Sequence, residues 1–106
     1  MAGFKLGKLV MTRGVHSKIK DDVDFAVGVL DAFERYQRCD WGDLCEEDKA
    51  ENEHALKEGE RIFAVYNIGD EKKLWIITEW DRSVTTLLLP EEYRACHFDV
   101  GLVRGK

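Results

Sequence analysis

Three apolar runs, Arg61 to Asn67, Lys73 to Trp80 and Val84 to Leu89, follow one another with only Ile68-Gly69-Asp70-Glu71-Lys72 and Asp81-Arg82-Ser83 between them. Separators this short and polar suit hairpin loops, whereas two parallel strands need a crossover of a dozen or more residues. The runs therefore predict an antiparallel three-stranded meander. Pro90, the only proline, ends its last strand, and Glu91-Glu92-Tyr93 offers a helical turn after it. Both faces of these strands carry apolar residues, among them Trp75, Ile76, Ile77, Trp80, Leu87, Leu88 and Leu89. A sheet of that kind needs cover on both sides, from more than one helix or from a second copy of the chain, so a homodimer through one sheet face is an expectation.

Upstream, Phe4 to Met11 alternates apolar side chains over a short stretch and Thr12-Arg13-Gly14 supplies a turn, which predicts a first strand joining the meander at an edge. Asp22 to Tyr36 has helical periodicity. Val23, Ala26, Val27, Leu30 and Phe33 form its predicted core stripe, widened by Phe25, Val29 and Tyr36. A second helix is expected from Asp43 through about Glu58, because Asp43 and Glu46 have the spacing of a capping box and Gly59 that of a C′ residue. Only Ala50, Ala55 and Leu56 could give that helix a core face, so it should lie on the surface. The whole is an α+β fold, a small antiparallel sheet of an N-terminal strand plus the meander, with two helices between strands 1 and 2. At 106 residues the chain makes a single domain, 1–106.

Charge is distributed unevenly. Residues 1 to 20 hold five basic groups and no acid, residues 21 to 60 fourteen acids against four basic groups, and the remainder seven of each, for a net charge of −5. An acidic middle third disfavours direct nucleic-acid binding and favours a basic partner. An odd number of cysteines, Cys39, Cys45 and Cys96, without an apolar run at the start, points to a reduced, cytoplasmic protein, and no stretch is long enough to span a bilayer.

The densest chemistry lies in Asp40 to Asn52, where six carboxylates surround Trp41 and Gly42. Three readings compete. Asp43 caps a helix while Glu46, Glu47 and Asp48 complement its dipole. Alternatively Asp40, Asp43, Glu47, Asp48 and Glu51 form an acidic recognition face with Trp41 as its apolar anchor. Or Asp40, Asp43, Glu47 and Asp48 converge on a divalent metal, with Glu79 or Asp81 from the sheet. The spacing lacks the alternating acids and central glycine of a calcium loop, so no metal is assigned. Glu79, Asp81 and Arg82 are structural or binding candidates: Arg82 could fork onto a carboxylate, or the segment could be a turn held by Asp81 and Ser83. Cys39, Cys45, His54, Cys96 and His97 are zinc-ligand types at spacings unlike a structural site. No cysteine has the surroundings of a nucleophile, and no glycine-rich phosphate loop is present, so neither catalytic residues nor a cofactor are assigned.

Asp40-Trp41-Gly42-Asp43-Leu44, Glu47-Asp48 with Asn52, Ile76-Ile77-Thr78-Glu79, Asp81-Arg82-Ser83, Thr85-Thr86 and Leu89-Pro90-Glu91-Glu92-Tyr93, taken in order, resemble segments of small proteins from bacterial plasmids, integrative elements and prophages. Such proteins are called plasmid-related and in some cases restriction-system subunits. The resemblance spans roughly Arg35 to Tyr93 and implies a mobile-element setting without an activity. The chain departs from that pattern with Cys39 where glycine is usual, Trp80 where a small residue is usual, and Tyr36 where histidine is common. Sequence and resemblance together suggest a non-enzymatic accessory protein that binds a host or element protein through an acidic surface. A basic nucleic-acid-binding protein is a plausible partner, with anti-restriction or anti-CRISPR-like counter-defence as the specific form. A metal-dependent enzyme and a structural subunit of a larger complex are the alternatives.

Overall fold

The computed structural model describes residues 4–69 and 72–95. Its elements are β1 (Lys8–Met11), α1 (Arg13–Asp21), α2 (Val23–Gln37), α3 (Glu46–Glu58), β2 (Ile62–Gly69), β3 (Lys72–Thr78), β4 (Val84–Leu88) and α4 (Pro90–Ala95). The fold is α+β, with the expected meander: β2 pairs with β3 and β3 with β4, both antiparallel, in a sheet ordered β1-β4-β3-β2.

Two details differ from the expectation. β1 joins at an edge, but it runs parallel to β4, Lys8 opposite Val84 through Met11 opposite Leu87, so the sheet is mixed. The chain between β1 and β2 crosses from one edge of the sheet to the other through helices, and a connection of that length allows either strand direction. Three helices, not two, make the crossing. The missed one, α1, starts at Thr12, whose hydroxyl accepts from Val15 N–H as an N-cap. Gly14 made this stretch look like a turn; here Glu92 on α4 accepts the Gly14 N–H at 2.8 Å and is also hydrogen-bonded to the Thr12 hydroxyl, fixing the start of α1 from outside it. The segment His97 to Lys106, read as a strand or a tail, lies outside the described residues.

α2 forms the main helix layer. Asp22 caps it by accepting Phe25 N–H, and it ends in a Schellman turn: Cys39 N–H donates to Tyr36 C=O, Asp40 N–H to Arg35 C=O, and Cys39 has a left-handed φ of 66°. The buried side chains of α2 are Phe25, Val29, Ala32 and Tyr36. They pack on the sheet face formed by Ile62, Ala64, Tyr66, Leu74, Ile76 and Leu87. The predicted stripe of Val23, Val27 and Leu30 is therefore not the core stripe, since these three are exposed. The helix carries two apolar stripes of similar content, and local spacing does not say which one meets a sheet.

A chain of hydroxyls crosses the core. Thr85 Oγ1 donates to Leu6 C=O at 2.7 Å, which commits its one proton, so it accepts from Thr78 Oγ1 at 2.8 Å; Thr78 in turn accepts from Tyr36 Oη at 2.6 Å. Both threonines and Tyr36 are buried, and every hydroxyl proton has an acceptor. Burial holds the Tyr36 phenol well above the usual tyrosine range. Tyr36→Phe removes the first donor and leaves the rest intact, so urea unfolding should give a loss of about 1 kcal/mol, whereas Thr78→Val strands the buried Tyr36 O–H and should cost about 2–3 kcal/mol.

Candidate functional site

The Asp40–Asp43 motif belongs to the architecture. Asp40 Oδ2 accepts Arg35 Nε–H at 2.9 Å and Oδ1 accepts Gly42 N–H at 3.1 Å, which folds the loop back on itself and holds the Asp40 carboxyl below the usual carboxylate range. Trp41 then turns inward. It is 3% exposed, meets Tyr36 edge-on at 5.6 Å and Phe4 at 5.9 Å, and its Nε1–H donates to Glu53 Oε2 on α3 at 2.8 Å. The reading of Trp41 as the surface anchor of a recognition face is thus corrected: the indole closes the core.

Gly42 forms a parallel bridge with Val65, and Asp43 N–H donates to Val65 C=O at 2.8 Å. A Cβ on Gly42, at φ 75°, would lie 2.2 Å from that carbonyl oxygen, so the close approach needs glycine. Asp43 Oδ2 accepts Asn67 N–H at 2.8 Å, and α3 starts instead at Cys45, which makes no side-chain cap hydrogen bond. The capping-box assignment of Asp43 is accordingly replaced by a bond across 24 residues to β2. Further along the same edge, Asn52 on α3 donates to Phe63 C=O at 2.8 Å and accepts Phe63 N–H at 3.2 Å. Positions 63, 65 and 67 of β2 are all engaged on the side away from β3.

The turn between β3 and β4 is the expected one at Asp81, whose Oδ1 accepts Ser83 N–H at 3.1 Å. Glu79 is buried, and its N–H donates to Val84 C=O. Arg82, at a left-handed φ of 59°, sends its guanidinium to main-chain carbonyls rather than to the acidic cluster: Ala55 at 3.0 Å, Glu60 at 2.7 Å, Glu79 at 3.1 Å and Trp80 at 3.3 Å. A cation at the C-terminal end of α3 also meets the negative end of the helix dipole. Arg82 thus holds the last turn of α3, and Trp41 of the other motif meets the same helix at Glu53. Among the described residues no three of His, Cys, Asp and Glu are grouped to hold a metal, and Cys96 and His97 lie outside them.

What the sequence did not single out is a cleft of about 450 Å³ on the sheet face opposite α2. Phe63, Trp75 and Ile77 form its floor; Asp48, Glu51, Asn52 and Ala55, one face of α3, form one wall; Tyr93 of α4 stands across, with Glu60 and Arg61 at the rim. Trp75 is flanked by Phe63, edge-on at 5.0 Å, and by Tyr93 at 5.2 Å. Asp48, Glu51 and Glu60 set three carboxylates against the one guanidinium of Arg61. Of the sequence candidates, Asp48 and Glu51 are brought to this cleft, while Glu47 is exposed in the first turn of α3. The signal for the cleft was the apolar character of both strand faces. Comparison of the chain with family models, with curated proteins and with solved structures gives no match. Among the described residues, no helix is long and apolar enough to cross a membrane.

Arg82→Ala removes the bonds to the Ala55 and Glu60 carbonyls at the end of α3. It should lower unfolding free energy by about 2 kcal/mol, with Arg82→Lys recovering only part, because a lysine lacks the planar fork that reaches several carbonyls at once. Urea denaturation of the two variants checks this order.

Proposed function

We propose that the protein is a non-enzymatic binding module that takes a basic, arginine- or lysine-bearing segment of a partner protein into the cleft between α3 and the outer sheet face. The observation that supports this reading is the pairing of an aromatic lining, Phe63, Trp75 and Tyr93, with the carboxylates of Asp48, Glu51 and Glu60. An aromatic face attracts a cation, most strongly when water is excluded, and carboxylates at the rim pair with a guanidinium or ammonium. Aliphatic stems of lysine and arginine fit the same lining. The acidic face inferred from the sequence is thereby kept in part: Asp48 and Glu51 contribute, Trp75 takes the anchor role first given to Trp41, and Asp40 and Asp43 serve the scaffold.

The mobile-element setting, carried by the resemblance of the DWGDL and DRS segments, gives this module its partner, a host protein with a basic nucleic-acid-binding groove, since carboxylates and phosphates present the same charge to lysine and arginine. Counter-defence is the specific form of that proposal.

Titration of the protein with hexa-arginine, followed by amide chemical shifts, tests the site. Saturable shifts should centre on Phe63, Trp75 and the Asp48–Ala55 face, and Glu51→Gln with Glu60→Gln should weaken binding about fivefold, while Glu46→Gln leaves it unchanged. Binding that is unsaturable, or equal in all three proteins, would remove the cleft from consideration.

A further inference from the structure

The apolar residues of α2 form two stripes; the fold buries one, and of the other it takes Phe33 against the core while Val23, Val27 and Leu30 stay exposed. Phe25, Val29, Ala32 and Tyr36 are in the core. Val23, Ala26, Val27, Leu30 and Phe33 repeat at the same helical spacing on the neighbouring face. There Val23 is 75% exposed, Val27 60% and Leu30 67%, the largest exposures among the large apolar side chains described, with Ala26 and Phe33 half-buried beside them. The exposed Val23, Val27 and Leu30, at i, i+4 and i+7, have the spacing by which helices dock on one another. Isolated exposed side chains need no explanation, but a stripe does.

Charge decides between occupants. Asp24 and Asp31, two turns apart, border the stripe on one side, and Glu34 follows Val27 and Leu30 along it; all three are exposed. The nearest cations in sequence lie beyond its two ends: Lys20 is in the last turn of α1, on the far side of the Asp22 cap, and at the other end Arg35 is held by Asp40 and Arg38 stands at the C-cap. A second copy packed stripe to stripe about a two-fold axis would set Asp24 of one chain near Asp31 and Glu34 of the other, an arrangement that repels. We infer that the exposed face of α2 docks an amphipathic helix of another protein, apolar on the side that meets Val23, Val27 and Leu30 and lysine- or arginine-bearing on the side that meets Asp24, Asp31 and Glu34. This surface lies on the opposite side of the sheet from the cleft and does not depend on it.

The probe is a helical peptide of leucine and lysine only, amphipathic at helical spacing, titrated into the full ¹⁵N-labelled chain. Saturable shifts are expected in the amides of residues 23 to 34, and none with a peptide carrying glutamate in place of lysine. Val27→Ser with Leu30→Ser alters exposed positions, so melting should stay within a few degrees while affinity falls at least about tenfold. Asp24→Asn with Asp31→Asn should weaken binding about threefold. The inference is overturned if shifts centre on Phe63, Trp75 and Glu51, if the serine variant binds as well as the wild type, if neither peptide saturates, or if light scattering finds a dimer that this variant dissolves.

Discussion

The outer edge of β2 is the constraint on which the rest of the structure turns. A strand at the end of a sheet exposes a row of main-chain donors and acceptors that invites another chain to pair with it. Here the row is filled from within: Asn52 takes both groups of Phe63, Gly42 and Asp43 take Val65, and the Asp43 carboxylate takes the N–H of Asn67. Closing the edge this way requires the chain to pass tightly over Val65, which requires Gly42, and brings Trp41 over Tyr36 and Phe4 to seal the core. A motif that looks like an acidic surface in sequence is a strap in space.

The strap also places α3. Apart from Ala55 and the half-buried Leu56, that helix offers the core little apolar surface, and propensity alone does not hold a helix of this length in water. Its position comes from polar contacts to other elements: Glu53 with Trp41, Asn52 with Phe63, and the Arg82 guanidinium over its last turn. These contacts keep Asp48 and Glu51 beside Phe63 and Trp75 and are the means by which the cleft acquires its wall. Arg82 adopts a left-handed backbone to do this, a cost that its carbonyl contacts offset.

Much of the fold was legible because it is written locally. The meander follows from run length and loop length, α2 from its period, and the end of α3 from Gly59. What failed had a non-local cause. Gly14 hides the start of α1 because the group that stabilises it, Glu92, lies far along the chain. Asp43 has the spacing of a cap, but a backbone amide of β2 competes for its carboxylate and wins. Trp41 amid carboxylates suggests a binding anchor, and only the packing of Phe4 and Tyr36 around it reveals a core residue. The cleft draws its residues from α3, β2, β3 and α4, so no short motif could announce it; the doubly apolar strands were its single trace.

Hydrogen exchange at the edge of β2 tests the strap most directly. If Asn52 and Asp43 close that edge, the amides of Phe63 and Asn67 exchange as slowly as those of the interior strand β3, and Asp43→Ala speeds Asn67 selectively. Fast exchange of both amides in the wild-type protein, at the rate of an open strand edge, would contradict the account.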